Sequence, residues 1–304
     1  MLGGTGFVGK ILAARLRDIS NPPPSYIVHR SRPAWLDGAR VSAVEVALDD
    51  SNDFAAALKG HDVLVNLLRP DGGGWYPDLL NRLQVSLRTS GIRRCVHASS
   101  IDVYAAGEAE FVDEETPTSP RSSYEAEHLA AERVLSSVFA ETVVLRLGAV
   151  FGPGGRNLLN LTNEMQRAPF WKLALRRFLY GDRRMHLVSV NSVCDALVHF
   201  SLEPGAAGLQ TVLVTDDADP DNNFAFVQDR FAEAFGRRSP AGVPSLPRSA
   251  LRVALRARGL SPVSASRRFS AKKAHNLGFS PHPFGEELKA YARQLAAGSQ
   301  NPDV

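Results

Sequence analysis

The sequence is poor in several features, and each shortage narrows what the protein can be. It has 2 cysteines in 304 residues, too few for a disulfide-built scaffold. Cys95 and Cys194 sit in apolar runs and read as reduced core thiols of a cytoplasmic protein. No apolar run reaches the roughly 18 residues of a membrane-crossing helix. The chain opens on a glycine turn, not on the charged-then-apolar start of a secretory signal. The net charge is only +3, with no long block of like charges. A mixed, solvated surface is expected, and nucleic-acid binding is not. The 8 histidines show no ligand spacing and there is no Cys-x-x-Cys, so no metal site is expected. Internal repeats and low-complexity segments are absent too.

What is present is an ordinary globular composition, 44% apolar and 22% charged, arranged as alternating strands and helices. Helical spacing predicts a helix over 7–17, stopped by the prolines at 22–24. Further helices are predicted over 53–59, 77–90, 124–139, 157–166, 192–202, 224–235, 248–258 and 284–296, with a frayed tail from 298 to 304. Strands are predicted at 26–28, 41–48, 63–68, 94–98, 142–147, 187–190 and 211–215. This order implies an α/β fold, a Rossmann-like doubly wound parallel sheet with a smaller C-terminal α/β substrate lobe. The boundaries expected are 1–155 for the dinucleotide domain, with 187–215 returning to it, and 156–186 plus 216–304 for the lobe.

The first candidate site is the opening turn. Gly3, Gly6 and Gly9 form GxxGxxG, a tight turn that lets backbone approach phosphate and a helix pack close to a sheet. The helix starting at Phe7 would aim its N-terminal N–H groups at the anion. Leu67, near the end of the strand at 63–68, joins these as a cofactor contact. At the end of the next strand stands His29-Arg30-Ser31-Arg32, with no acid to hold a ribose 2′-hydroxyl. Arg30 and Arg32 could instead pair with a 2′-phosphate, which favours NADP over NAD. The other reading is two surface arginines at an exposed strand end.

The second site is a serine and a tyrosine. Ser100 ends a predicted strand, where open α/β sheets place ligands, and Tyr124 opens the following long helix. A tyrosine hydroxyl, ordinarily near pKa 10, needs a neighbouring cation to act as acid or base near neutrality.

These pieces, "GGTGFVG", "GIRRCVHASSIDVY", "SPRSSYEAEHLAAERVL", "VLRLGAVFGPGG" and "AKKAHNLGFSP", span most of the chain. The chain resembles the extended short-chain dehydrogenase/reductase family, in particular its NAD-dependent epimerase/dehydratase group acting on nucleotide sugars. The resemblance implies Ser100 and Tyr124 as catalytic residues, and Asn157 as a contact to the substrate's nucleotide. It also implies a diphosphate-binding arginine at Arg183 or Arg184, and a homodimer. The family's Tyr-x-x-x-Lys is Tyr124-Glu125-Ala126-Glu127-His128 here. His128 lies one turn on, on the same helix face, so it either tunes the tyrosine or leaves it less activated. Ala149 stands where the family commonly has a further nucleotide-contacting asparagine.

The implied activity is an NAD(P)-dependent epimerase or ketoreductase on a nucleotide-linked or polyprenyl-diphosphate-linked sugar. Dehydratase ranks last, because Ser100-Ile101-Asp102 offers no clear acid pair. The alternative is a weakened or inactive dinucleotide-binding sensor or assembly factor. The basic aromatic stretch at 168–186 reads as a lid helix, with contact to a membrane surface as the sharper alternative. The family also has a central strand ahead of the glycine turn, whereas only Met1 and Leu2 precede Gly3. Losing such a strand would cost more than the usual stability of about 5–15 kcal/mol. The expectation is therefore a clipped first strand, with the true start upstream.

Overall fold

The computed structural model describes residues 1–16, 24–29, 32–37, 41–48, 50–203, 207–247, 250 and 266–299. In chain order the elements are α1 (Phe7–Leu16), β1 (Ser25–Val28), β2 (Ser42–Glu45), α2 (Ser51–Leu58), β3 (Val63–Asn66), α3 (Trp75–Thr89), β4 (Arg94–Ser100), β5 (Phe111–Val112), α4 (Ser123–Val138), β6 (Glu141–Leu147), β7 (Ala149–Phe151), α5 (Leu159–Arg167), α6 (Phe170–Tyr180), β8 (Leu187–Ser189), α7 (Val190–Leu202), β9 (Gly208–Val214), α8 (Phe224–Ala234), β10 (Arg268–Phe269), α9 (Lys272–Asn276) and α10 (Phe284–Ser299). Apart from Ala250, the helix expected at 248–258 lies outside the described residues; of the tail expected to fray from 298, Gly298 and Ser299 still belong to α10, and 300–304 lie outside the described residues.

The chain divides into two compact units: Met1–Gly107, Pro117–Leu147 and Asn191–Val214 form the first, and the remainder forms the second. The expected boundary at 155 thus falls at Leu147, and Gly148–Val190 goes whole to the second unit. Strands of two or three residues such as β5, β7 and β10 carry no readable period, so sequence reasoning passed over them.

In the first unit, β3, β4, β6 and β9 form a four-stranded parallel sheet in the order β3-β4-β6-β9, and β1 pairs with β2 in parallel. Met1 and Leu2 join the two ladders. Leu2 bridges Asn66 in parallel, with Leu2 N donating to Val65 O at 2.9 Å and Leu67 N to Leu2 O at 2.8 Å. On the other side Ile27 N donates to Met1 O at 2.9 Å. These two residues therefore hold an interior position, between β1 and β3, of a sheet ordered β2-β1-(Met1–Leu2)-β3-β4-β6-β9. All pairings are parallel among the named strands, and both faces are covered, as such sheets require. Ile27 joins a core with Phe54, Leu80, Leu83, Leu87 and Leu135 of α2, α3 and α4. Its neighbours Tyr26 and Val28 point to the other face, where they meet Ala13 of α1. Period-two alternation along β1 thus sorts the helices into two layers. Both cysteines are buried free thiols, Cys95 on β4 and Cys194 on α7.

In the second unit, β7 pairs with β8 and β5 with β10, both in parallel. Its core gathers Phe151, Met165, Leu173, Val227, Phe231, Phe284, Leu288 and Tyr291. The basic aromatic stretch forms α6, which turns Leu173 into this core and leaves Trp171 66% exposed. Its cations have protein partners: Lys172 and Arg176 meet Glu164, and Arg177 meets Asp229 at 2.7 Å. Among the described residues, no helix is long and apolar enough to cross a membrane.

Asp216 is the costly group of this unit. It is 4% exposed, and among the described residues neither carboxylate oxygen has a hydrogen-bond partner of good geometry. Burial pushes its carboxyl up to about 7; the Ser189 backbone offsets part of this, and Asp219, Asp217 and Glu287 add to the rise. The folded form then holds a proton that the unfolded chain releases above its ordinary value near 3.9. Stability falls as pH rises from about 4 to about 7, by up to about 4 kcal/mol. Asp216→Asn should therefore raise the Tm at pH 8 and leave it nearly unchanged at pH 4. Calorimetry at the two pH values checks this.

Candidate active site

The glycine turn is built as the motif demands. Gly3 has φ +72° and a Cβ there would lie 2.6 Å from Leu68 N, so only glycine fits. A Cβ at Gly9 would lie 1.9 Å from Gly4 O, so its absence lets α1 sit directly on the turn. Gly6 differs: a Cβ there would meet only Gly3 O, at 3.8 Å, and the residue is exposed. Nothing in the chain's own packing requires glycine at that position. A bare backbone facing outward at the start of α1 fits an anionic group laid against it, as a dinucleotide pyrophosphate would be. Tyr26 secures the turn from β1 by donating its hydroxyl to Gly9 O at 3.0 Å. Leu67 lies beside it, with its carbonyl carbon 2.7 Å from the Cβ that Gly3 lacks. Arg30 lies outside the described residues. Arg32 pairs with Asp37 at 2.9 Å, both well exposed.

The tyrosine helix is placed by its cap and by the segment before it. Ser122 and Glu125 form a capping box, a Ser-x-x-Glu signal readable in the sequence but passed over. Upstream, Ser119 N donates to Val103 O, Ala106 N to Ser119 O, and Arg121 Nη2 to Ala105 O, at 2.8, 2.8 and 2.7 Å. The approach to α4 is thereby fastened to the 3₁₀ helix Ile101–Tyr104, which follows Ser100 directly. Ser100 Oγ accepts from Asp102 N at 3.1 Å, so this serine caps that 3₁₀ helix and its own O–H is left to donate elsewhere.

Beneath these groups lies a buried polar network. Glu132 on α4 holds Arg146 on β6 in a two-pronged pair, Nε to Oε1 at 3.1 Å and Nη2 to Oε2 at 2.7 Å. Ser99 donates to Glu132 at 2.6 Å, and Arg146 donates onward to the Tyr104 hydroxyl. Strand, helix and 3₁₀ helix are thus tied at one point.

His128 follows Tyr124 by one turn of α4. It is 3% exposed, and among the described residues neither ring nitrogen has a partner. Its ring meets Tyr124 edge-on, with centroids 4.8 Å apart. Desolvation, then the nearby His97 and Arg69, push it down to about 3. His97 on β4 is likewise buried and lowered to about 4, although Glu132 and the Asn66 backbone pull the other way. Both rings are neutral at pH 7. The charged group at Tyr124 comes from a residue that sequence reasoning missed: Arg69, in the loop after β3, places Nε 3.3 Å from the Tyr124 hydroxyl.

Three expected substrate residues lie in the second unit. Asn157 is exposed and donates to Val150 O at 2.7 Å. Arg183 is exposed, whereas Arg184 is buried and donates to Asp219 O at 2.6 Å, an anchoring role in its own unit. Among the described residues no cluster of three or more metal-ligating side chains occurs.

Removing one partner of a buried ion pair strands the other charge. Glu132→Ala should lose about 3–5 kcal/mol in urea unfolding, and pairing it with Arg146→Met should recover much of that. The two neutral histidines make stability fall on acidification, because the unfolded chain takes protons near pH 6.5 that the fold refuses. The share of His128 reaches about 3 kcal/mol at pH 4. His128→Leu should flatten the acid side of the stability profile and change little at pH 8.

Residues 1–212 match the NAD dependent epimerase/dehydratase family. Among solved structures, the chain is similar to UDP-N-acetylglucosamine 4-epimerase from Bacillus cereus, with TM-score 0.70, 16% identity and 97% of each chain covered. It is also similar to DesIV, a dTDP-glucose 4,6-dehydratase from Streptomyces venezuelae solved with NAD, with TM-score 0.68, 17% identity, and 99% and 98% of the two chains covered. MoeE5 in complex with UDP-glucuronic acid and NAD matches with TM-score 0.67, 20% identity and 98% of each chain. No curated protein matches. These structural likenesses agree with the parallel α/β architecture described above. With the family match spanning more than half its length, the chain belongs to the NAD-dependent epimerase/dehydratase family.

Proposed function

We propose that the chain binds a nicotinamide dinucleotide at the Gly3–Gly9 turn and oxidises or reduces a carbon of a nucleotide-linked sugar, with epimerisation as the net reaction. The observation that carries this reading is the segment 67–74. It packs its Leu67–Leu68 backbone against Gly3 and its Gly72 against Ser123 and Tyr124, the Cβ that Gly72 lacks falling 3.1 Å from Ser123 Oγ. One short loop thus adjoins both the phosphate turn and the tyrosine.

The bound dinucleotide supplies the hydride acceptor and donor. The Gly6 backbone and the first N–H groups of α1 hold its pyrophosphate. Tyr124 exchanges the proton of the sugar hydroxyl, and Ser100 donates its O–H to the same sugar oxygen. The Asp102 N–H already occupies a lone pair of Ser100 Oγ, which biases the hydroxyl toward donating outward. Asn157 and the exposed Arg183 are the candidates for the nucleotide and diphosphate of the substrate. Family membership and the UDP- and dTDP-sugar enzymes among the similar structures support this substrate class.

Fluorescence titration should show saturable binding of NADH or NADPH. Tighter NADPH binding would assign the 2′-phosphate to the arginines at the end of β1, and tighter NADH binding would leave Arg32 to Asp37. A panel of UDP- and dTDP-sugars should include a substrate, and Tyr124→Phe should cut its turnover at least about 100-fold while keeping dinucleotide affinity. Absence of binding for both dinucleotides would overturn the reading. Binding without turnover would favour the sensor or assembly-factor alternative.

A further inference from the structure

We infer that Arg69 is the positioning cation for Tyr124, doing from the loop after β3 what no residue of α4 does. This rests on the proposal that Tyr124 exchanges the substrate proton. That exchange needs a positive charge beside the phenolic oxygen, because an isolated tyrosine gives up its proton only near pH 10.

The helix itself cannot supply the charge. His128 follows Tyr124 by one turn but is neutral, buried and without a partner among the described residues. Arg69 supplies it. Its Nε lies 3.3 Å from the Tyr124 hydroxyl, and its guanidinium carbon lies 5.4 Å from the ring centroid. A guanidinium keeps its charge across the working pH range. Burial first, then His97 and this same charge, hold His128 neutral.

The arginine's backbone is set from both sides. Before it, Leu68 N donates to Asn66 Oδ1 at 3.1 Å, and Asn66 Nδ2 donates to the buried Tyr76 hydroxyl at 2.8 Å. After it, Glu127 of α4 takes Gly74 N at 2.6 Å and Gly72 N at 3.4 Å. Gly72 has φ +88°, a conformation that favours glycine, and its missing Cβ would lie 3.1 Å from Ser123 Oγ in the first turn of α4. The helix that carries the tyrosine therefore also clamps the loop that carries the arginine.

The other charged and titratable groups around Tyr124 are committed elsewhere. On the loop, Asp71 accepts from Gly73 N at 2.9 Å. On α4, Glu127 holds the loop and Glu125 closes the capping box. On β4, His97 is neutral beside His128. Among the described residues, no carboxylate pairs with Arg69.

In the oxidative direction, the sugar O–H proton would pass to the tyrosinate oxygen, while a bound oxidised dinucleotide would take up the hydride from the same carbon. The C–O bond becomes a carbonyl. Arg69 stabilises the tyrosinate before the step, and the proton taken from the sugar leaves Tyr124 a neutral phenol after it.

The test is an ultraviolet pH titration of tyrosinate absorbance in the full chain, run on wild type, Tyr124→Phe, Arg69→Ala and Arg69→Lys. The difference between wild type and Tyr124→Phe isolates this tyrosine. The proposal expects its absorbance step to move to higher pH in Arg69→Ala, and to return toward the wild-type position in Arg69→Lys. Where a substrate is in hand, the rising limb of kcat/KM against pH should shift in the same direction. Steps that superimpose in wild type and Arg69→Ala would overturn the role of Arg69. Because the absorbance readout uses no substrate, a failure to find turnover would count against the proposed function alone.

Discussion

The architecture of the first unit depends on the ion pair between Glu132 and Arg146. Both side chains are almost wholly excluded from water, at 7% and 8% exposure, so neither charge could persist without the other. The pair joins the middle of α4 to β6, and through Ser99 and Tyr104 it reaches the end of β4 and the 3₁₀ helix after it. Those are the elements that carry Ser100 and Tyr124. Hydrophobic packing alone would let α4 slide or rotate on the sheet at modest cost. A two-pronged guanidinium–carboxylate contact has one geometry, and it sets where the first turn of α4 points.

A second constraint follows from glycine. The loop 67–74 lies against Gly3 at one end and against the first turn of α4 at the other; a Cβ at Gly3 would collide with the loop backbone, and one at Gly72 would sit tightly, 3.1 Å from Ser123 Oγ and 3.3 Å from Tyr124 N. Close approach of bare backbone therefore couples the phosphate turn to the tyrosine helix without a long side chain between them. Glu127 completes the coupling by accepting from two loop N–H groups. The electrostatics of the site follow from that placement: one permanent cation at the tyrosine and two buried histidines kept neutral beside it.

Much of this was legible in the residues. The glycine turn, the alternation of strands and helices, Ser100 at a strand end and Tyr124 at a helix start all rest on local signals, and the structure places them as expected. The residue identity at Tyr-x-x-x-His was legible as a departure but not its consequence. The charge of His128 depends on burial, which no spacing reveals. Arg69 had no signal of its own, since an arginine in a glycine-rich loop reads as solvated surface. The chain divides at Leu147, short of 155, where β7 and β8 pair with each other, and that pairing is written in no local pattern.

By itself, then, the sequence determined what short-range physics controls: where glycine is compulsory, where helices begin and end, and which runs are buried enough to be strands. Hydrophobic period and backbone sterics act within a few residues, so they survive as pattern. Only the tertiary structure decided which cation meets the tyrosine, which histidines stay neutral, and that Met1 and Leu2 bridge β1 and β3. Arg69 and Tyr124 are 55 residues apart. A charge at a hydroxyl is a matter of ångströms in space, and the fold alone brings those two groups within reach.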